Sequence, residues 1–191
     1  MKEIFAIVAA LLAVAGNLPY LWAMVKGRVR PHLYTWLIGS IVSGTVFFGM
    51  FAKGAGIGSL PVAVSELFTV LIFILSFKYG YRKITILDRA CLAVALIGLV
   101  PWAFTHDPTA SVIIAVAVDL MSLVPTFRKT WNEPSTEQPG LYASNALRHV
   151  LAVLSLATYN VATTLHSLTM ILSNTGLLAV IYRKKYQSGN T

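Results

Sequence analysis

The chain has 191 residues, 57% of them hydrophobic and only 12% charged, with a mean hydropathy of +0.72. Soluble domains carry about 25% charged residues and are about half apolar, so the deficit here is in charge, and it places the chain among integral membrane proteins. The formal charge of +8 does not mark a nucleic-acid binder, because the cations stand in short clusters between apolar runs. One cysteine, Cys91, excludes an internal disulfide, and no run has metal-ligand spacing.

A spanning helix needs about 20 mostly apolar residues. Seven runs fit, roughly 3–25, 32–52, 60–78, 87–104, 110–127, 140–158 and 163–182. In the first, Glu3 interrupts what would be the basic region of a leader and the apolar stretch continues to Met24, so a retained helix is expected rather than a cleaved signal. Pro19 lies near its end and the basic connection "KGRVR" follows. The second run passes through "KGAGIGS" to the third, which carries Ser65 and Glu66 and ends in "KYGYRKITI". The fourth leads by "THDPT" into the fifth, where Asp119 sits six residues before Pro125. The longest connection, "RKTWNEPSTEQPG", precedes the sixth run, and a tight link near Asn160 leads to the seventh and a small basic tail. This is an all-α, multi-pass membrane protein with the lipid bilayer as its first partner, expected in the plasma (inner) membrane.

Lysine and arginine set the orientation. Twelve fall on one side, in the connections after the first, third and fifth runs and in the tail; the other side has Lys2 and Lys53, and Arg148 is inside the sixth run. The N-terminus is therefore expected outside and the C-terminus in the cytoplasm, which requires an odd number of spans.

The order of motifs repeats. Pro19 and Pro125 each end the first helix of a half; a basic connection and another proline follow, then Leu33-Tyr34 or Leu141-Tyr142. Ser65-Glu66 and Ser173-Asn174 stand 108 residues apart, as do the two tyrosines. Residues 1–82 and 109–191 then form two parallel three-helix repeats, with 83–108 as a linker helix (3+1+3). Parallel repeats about an axis along the membrane normal occur among transporters.

These residues resemble the PQ-loop superfamily, which includes the SWEET sugar transporters and cystinosin-type carriers. The stretch "VPTFRKTWNEPSTEQPGLYASN" is similar to the SWEET segment in which "PTF", a basic pair and "STE" precede the next helix, and "SNTG" at 173–176 resembles their seventh-helix asparagine motif. The resemblance implies the 3+1+3 plan, transport by alternating access, and hinges at Pro19 and Pro125. The "PQ" dipeptide itself reads Pro19-Tyr20 and Pro125-Thr126, Glu66 replaces the third-helix asparagine, and Phe47 or Phe48 and Tyr159 fall nearest to the pocket tryptophans.

The polar residues inside the runs are the candidate site. A charge at the bilayer centre costs at least about 2.5–3.5 kcal/mol unless it faces a bundle interior or a wet cavity. Asp119 lies about 15 Å and Arg148 about 12 Å from opposite faces of a core about 30 Å thick, hence at similar height. An ion pair between them is expected, either structural or exchanged for substrate. Glu66 has no basic partner in its own half of the membrane, a setting that suits a proton carrier or an aqueous vestibule. Tyr142, Asn145 and His149 share one helix face, as do Asp119, Ser122 and Thr126. Glu66, Asn174, Asp119, Asn145, Arg148 and His149 are thus the expected substrate-binding set, and Pro19 and Pro125 the expected hinges.

A transporter for a small polar metabolite follows, with protons as candidate coupling ions and no cofactor. Such a charged set fits an amino acid, an organic acid or another charged metabolite better than a neutral hexose. The alternative is a seven-helix sorting or sensing receptor of the same plan, against which the outer connections are short. No enzyme is expected: a retinal protein would need a lysine within 160–182, and Asp119, Glu66 and His149 form no recognisable hydrolytic cluster.

Overall fold

The computed structural model describes residues 1–98, 100, 104 and 107–189, with side chains to residue 183. Helices α1 (Lys2–Val25), α2 (Leu33–Ala52), α3 (Leu60–Tyr79), α4 (Ile86–Gly98), α5 (Pro108–Asn132), α6 (Pro139–Ser155) and α7 (Val161–Gly189) follow in order, with no strand among the described residues. Short 3-10 turns at Gly56–Ser59 and Pro134–Thr136 lead into α3 and α6. Much of the end of the expected fourth span, with Pro101, lies outside the described residues, as do the side chains of Lys184 and Lys185.

The starts of the helices follow from their first residues. Pro61, Pro108 and Pro139 occupy the first turns of α3, α5 and α6, where a missing N–H costs nothing. Asp107 caps α5 by accepting from the Thr109 N–H at 2.9 Å. Pro19 and Pro125 lie inside α1 and α5, as expected.

Among the described residues, five helical segments are long and apolar enough to cross a membrane, in α1, α2, α3, α5 and α7. Helix α6 has only 17 residues and stops at Ser155, short of the expected 158; at 1.5 Å per residue it is about 25 Å long. The outer surface is oily: Leu11, Trp22, Leu67 and Leu172 are between 62% and 75% exposed. A soluble monomer rarely shows so much contiguous apolar surface, and a membrane-embedded protein requires it.

Six helices close a ring in the order α1, α3, α2, α5, α7, α6 and back to α1, with α2 also touching α7 across it, while α4 packs outside on α5 and α2. Two joints of the ring, α1 on α6 and α2 on α5, depend on glycine. A Cβ on Gly16 would fall 1.9 Å from Ser144 Oγ, and one on Gly49 would fall 2.6 Å from Val112 Cγ2. Small residues matter here because lipid tails supply no hydrophobic force between helices, so close backbone approach does. Helix α1 shows it along its length, burying Ala6, Ala9, Ala13 and Gly16 in one stripe.

The connections meet at two ends. At the basic end, Arg30 N–H donates to Thr136 O and Tyr81 N–H to Pro31 O. At the opposite end, Ala157 N–H donates to Ala55 O and Lys2 Nζ to Ala157 O.

Candidate functional site

The ring encloses a cavity of about 120 Å³. Every ring helix contributes to its wall and α4 does not: Asn17 from α1; Thr35, Trp36, Gly39 and Ser43 from α2; Ser65 and Thr69 from α3; Asp119, Leu123 and Thr126 from α5; Leu141, Tyr142, Asn145, Arg148 and His149 from α6; and His166, Met170, Ser173, Asn174 and Leu177 from α7. Of the six substrate-binding residues expected from the sequence, five stand here. Glu66 does not; its neighbour Ser65 faces the cavity instead. The Glu66 carboxylate lies beside Ser43 with its Oε2 buried and unpartnered.

The lining positions also recur at a fixed separation along the chain. Thr35 and Leu141, Trp36 and Tyr142, Gly39 and Asn145, and Ser43 and His149 are pairs of wall residues 106 apart, the separation of Pro19 and Pro125. The tyrosine match 108 apart therefore joins different helix faces: Tyr142 lines the cavity and Tyr34 does not. The separation of 108 holds further along, where Ser65 and Ser173 both face the cavity. The aromatic wall residues are Trp36 and Tyr142. Phe48 and Tyr159 are exposed, at 69% and 56%, and Phe47 packs against the α2–α5 core.

Arg148 is buried, and its guanidinium is held without a carboxylate. Nε donates to Asn145 Oδ1 at 3.1 Å, Nη1 to Pro61 O at 3.4 Å, and Nη2 meets His149 Nε2 at 3.0 Å. Arginine donates only and has five N–H groups, so two remain for the cavity. The same rule fixes His149: its Nε2 must accept, which leaves the ring proton on Nδ1, 3.3 Å from Ser167 Oγ. The His166 ring packs edge-on at 5.4 Å, and its buried Nδ1 has no partner.

The expected ion pair between Asp119 and Arg148 is absent. Both line the cavity, but Asp119 accepts from its own helix, from Ser122 Oγ at 3.4 Å. The sequence placed the two at one height and could not place them around the ring. Asn17 and Asn174 each donate one amide N–H to the carbonyl four residues back, leaving their oxygens as acceptors. Thr126 Oγ1 donates to Thr35 Oγ1 at 2.9 Å, and Thr35 Oγ1 to Ser122 O at 2.7 Å, across the α2–α5 joint near Pro125.

At the basic end the wall runs into a buried charge network. Tyr142 Oη donates to Glu137 at 2.8 Å, and Glu137 pairs with Lys129, whose fully buried Nζ also donates to Arg30 O at 2.6 Å. Beside it, Asp88 accepts from Arg128 Nε and Nη2 and from Thr85 N–H. His32, the residue before α2, stands 3.5 Å from Asp88 with neither ring nitrogen hydrogen-bonded. Burial pushes the His32 imidazole down to about 4, against the opposing pull of Asp88, so it is neutral at pH 7. Half-buried Glu133 is held below the usual carboxylate range by its hydrogen bond from Lys83, and less by that from Tyr81.

His166 was missed in the sequence, although His166, Met170, Ser173 and Leu177 recur on one helix face and carry the signal. The network of Lys129, Glu137 and Asp88 had no such signal, because these residues sit in the end turns of helices or between them, where charge is ordinary.

No known protein family, curated protein or solved structure matches this chain.

Proposed function

We propose that the protein is a membrane transporter that moves a small polar metabolite by alternating access through the central cavity. In this reading the helices are seven spans, α1–α3 and α5–α7 are two parallel repeats of a PQ-loop or SWEET-like plan joined by α4, and the N-terminus is outside. The observation that carries it is the cavity wall, rich in polar side chains and drawn from all six ring helices, inside a bundle whose outer face is oily. The ring order supports the repeat: exchanging α1, α2, α3 for α5, α6, α7 maps the six joints of the ring onto one another. Its volume is well below the range that holds drug-sized ligands, which favours a small solute.

The test is uptake of labelled sugars, amino acids and organic acids into liposomes containing the purified protein. Ser173→Phe fills the cavity and should abolish uptake, whereas Leu172→Phe, at a position 75% exposed to the lipid side, should retain it. If no solute in the panel moves, or Ser173→Phe transports normally, the transporter reading fails and a receptor of the same fold takes its place.

A further inference from the structure

Among the described residues, the wall of the cavity carries one acid and one base that no protein group of opposite charge pairs with. Arg148 is 5% exposed and has no carboxylate partner; Asp119 is 7% exposed and has no cationic one. A fixed internal pair would have joined them, since a broken buried pair is costly. They are instead held apart, each anchored by neutral neighbours, with polar capacity left over. Arg148 retains two N–H groups, and the unpartnered Nδ1 of His166, itself only 4% exposed, lies in the same wall. One side of the cavity can therefore receive a carboxylate and another an ammonium group.

Resting on the transporter reading, we propose that the substrate is a small zwitterion, an amino acid or a close relative, with its carboxylate on Arg148 and His166 and its ammonium group on Asp119. A ligand with both charges neutralises both wall groups at once, and a ligand with one leaves the other charge stranded. A neutral sugar neutralises neither. Two further carboxylates stand near the wall but not in the lining: Glu66, beside Ser43, and Glu137, which pairs with Lys129.

The experiment is a thermal-shift titration of the purified protein with each of the twenty common amino acids and with glucose and succinate, since a bound ligand adds stability by mass action. For the most effective amino acid, its des-amino acid and its decarboxylated amine are titrated next. At least one amino acid should stabilise the protein, and each single-charge analogue should bind weaker by about tenfold or more, because the group left unpaired is buried. Asp119→Asn should bring the amino acid down to the level of its des-amino analogue. Wild-type protein alone decides the matter if that variant does not fold. A des-amino acid that binds as tightly as the amino acid overturns the proposal in favour of an organic acid. Glucose or succinate that binds and is taken up, with no amino acid doing so, overturns it and leaves the transporter reading standing. No binding and no uptake of any solute overturns both.

Discussion

His32 ties the acid stability of the protein to one ring. Its nitrogens are shut away from water at the basic end, between Asp88, Arg128 and Lys129, and it stays neutral down to about pH 4 against an ordinary value of 6.5. The unfolded chain takes up a proton in that interval and the folded chain does not. Stability is therefore complete above pH 6.5 and falls as the pH drops towards 4. Unfolding temperatures measured across this range should decline on acidification, and His32→Asn should flatten the decline between pH 6.5 and 4. An unchanged slope in the variant would remove His32 from the account. Arg148 shows the same physics inside the bundle. A buried side chain that cannot lose its proton must be met by acceptors, and Asn145, Pro61 and His149 supply them.

Helices in this chain are held by proximity more than by oiliness, since the solvent around them is as apolar as they are. The joint of α1 and α6 at Gly16 and Ser144 is the closest approach of this kind, because a Cβ on Gly16 would fall 1.9 Å from Ser144 Oγ. Gly16→Val should force the helices apart and destabilise the protein by about 1–3 kcal/mol, the cost of overpacking. Ser144→Gly removes the obstructing hydroxymethyl and should recover part of the loss, as read by unfolding temperature. No recovery in the double variant would mean that the joint is looser than described. The helices themselves were legible in the sequence, because a 20-residue apolar run bounded by prolines and basic clusters has few other fates. So were Asp119, Asn145, Arg148, His149 and Asn174 as wall residues, because a polar group in such a run must turn inward. The position around the ring was not legible. One residue decides whether a helix shows Ser65 or Glu66 to the cavity, and motif spacing suggested a 108-residue match for Tyr142 where wall position pairs it with Trp36. Pairing of Asp119 with Arg148 failed for the same reason: depth can be counted along a helix, whereas bearing depends on how six helices pack.

At the scale of the whole molecule, a ring of six helices surrounds one central cavity lined by many polar side chains. The two halves contribute unequally to it. Asn17, Thr35, Ser43, Ser65 and Thr69 from the first are neutral, and the charged and imidazole groups all come from the second. In the proposed mechanism the α1–α6 and α2–α5 joints and the helices containing Pro19 and Pro125 let the halves rock, and the network of Tyr142, Glu137 and Lys129 closes the basic end. The central claim is that one cavity is reached in turn from both sides of the membrane. Cys91 is buried and is the only cysteine, so a Cys91→Ser background permits single probes. A cysteine replacing Ser65 in the wall, with one replacing lipid-facing Leu67 as control, would be challenged with a membrane-impermeant thiol reagent in sealed vesicles of each orientation. The account predicts that the probe at 65 is modified from both sides and that its modification stops uptake, while the probe at 67 is untouched. Modification of the probe at 65 from one side only, or from neither, would contradict alternating access.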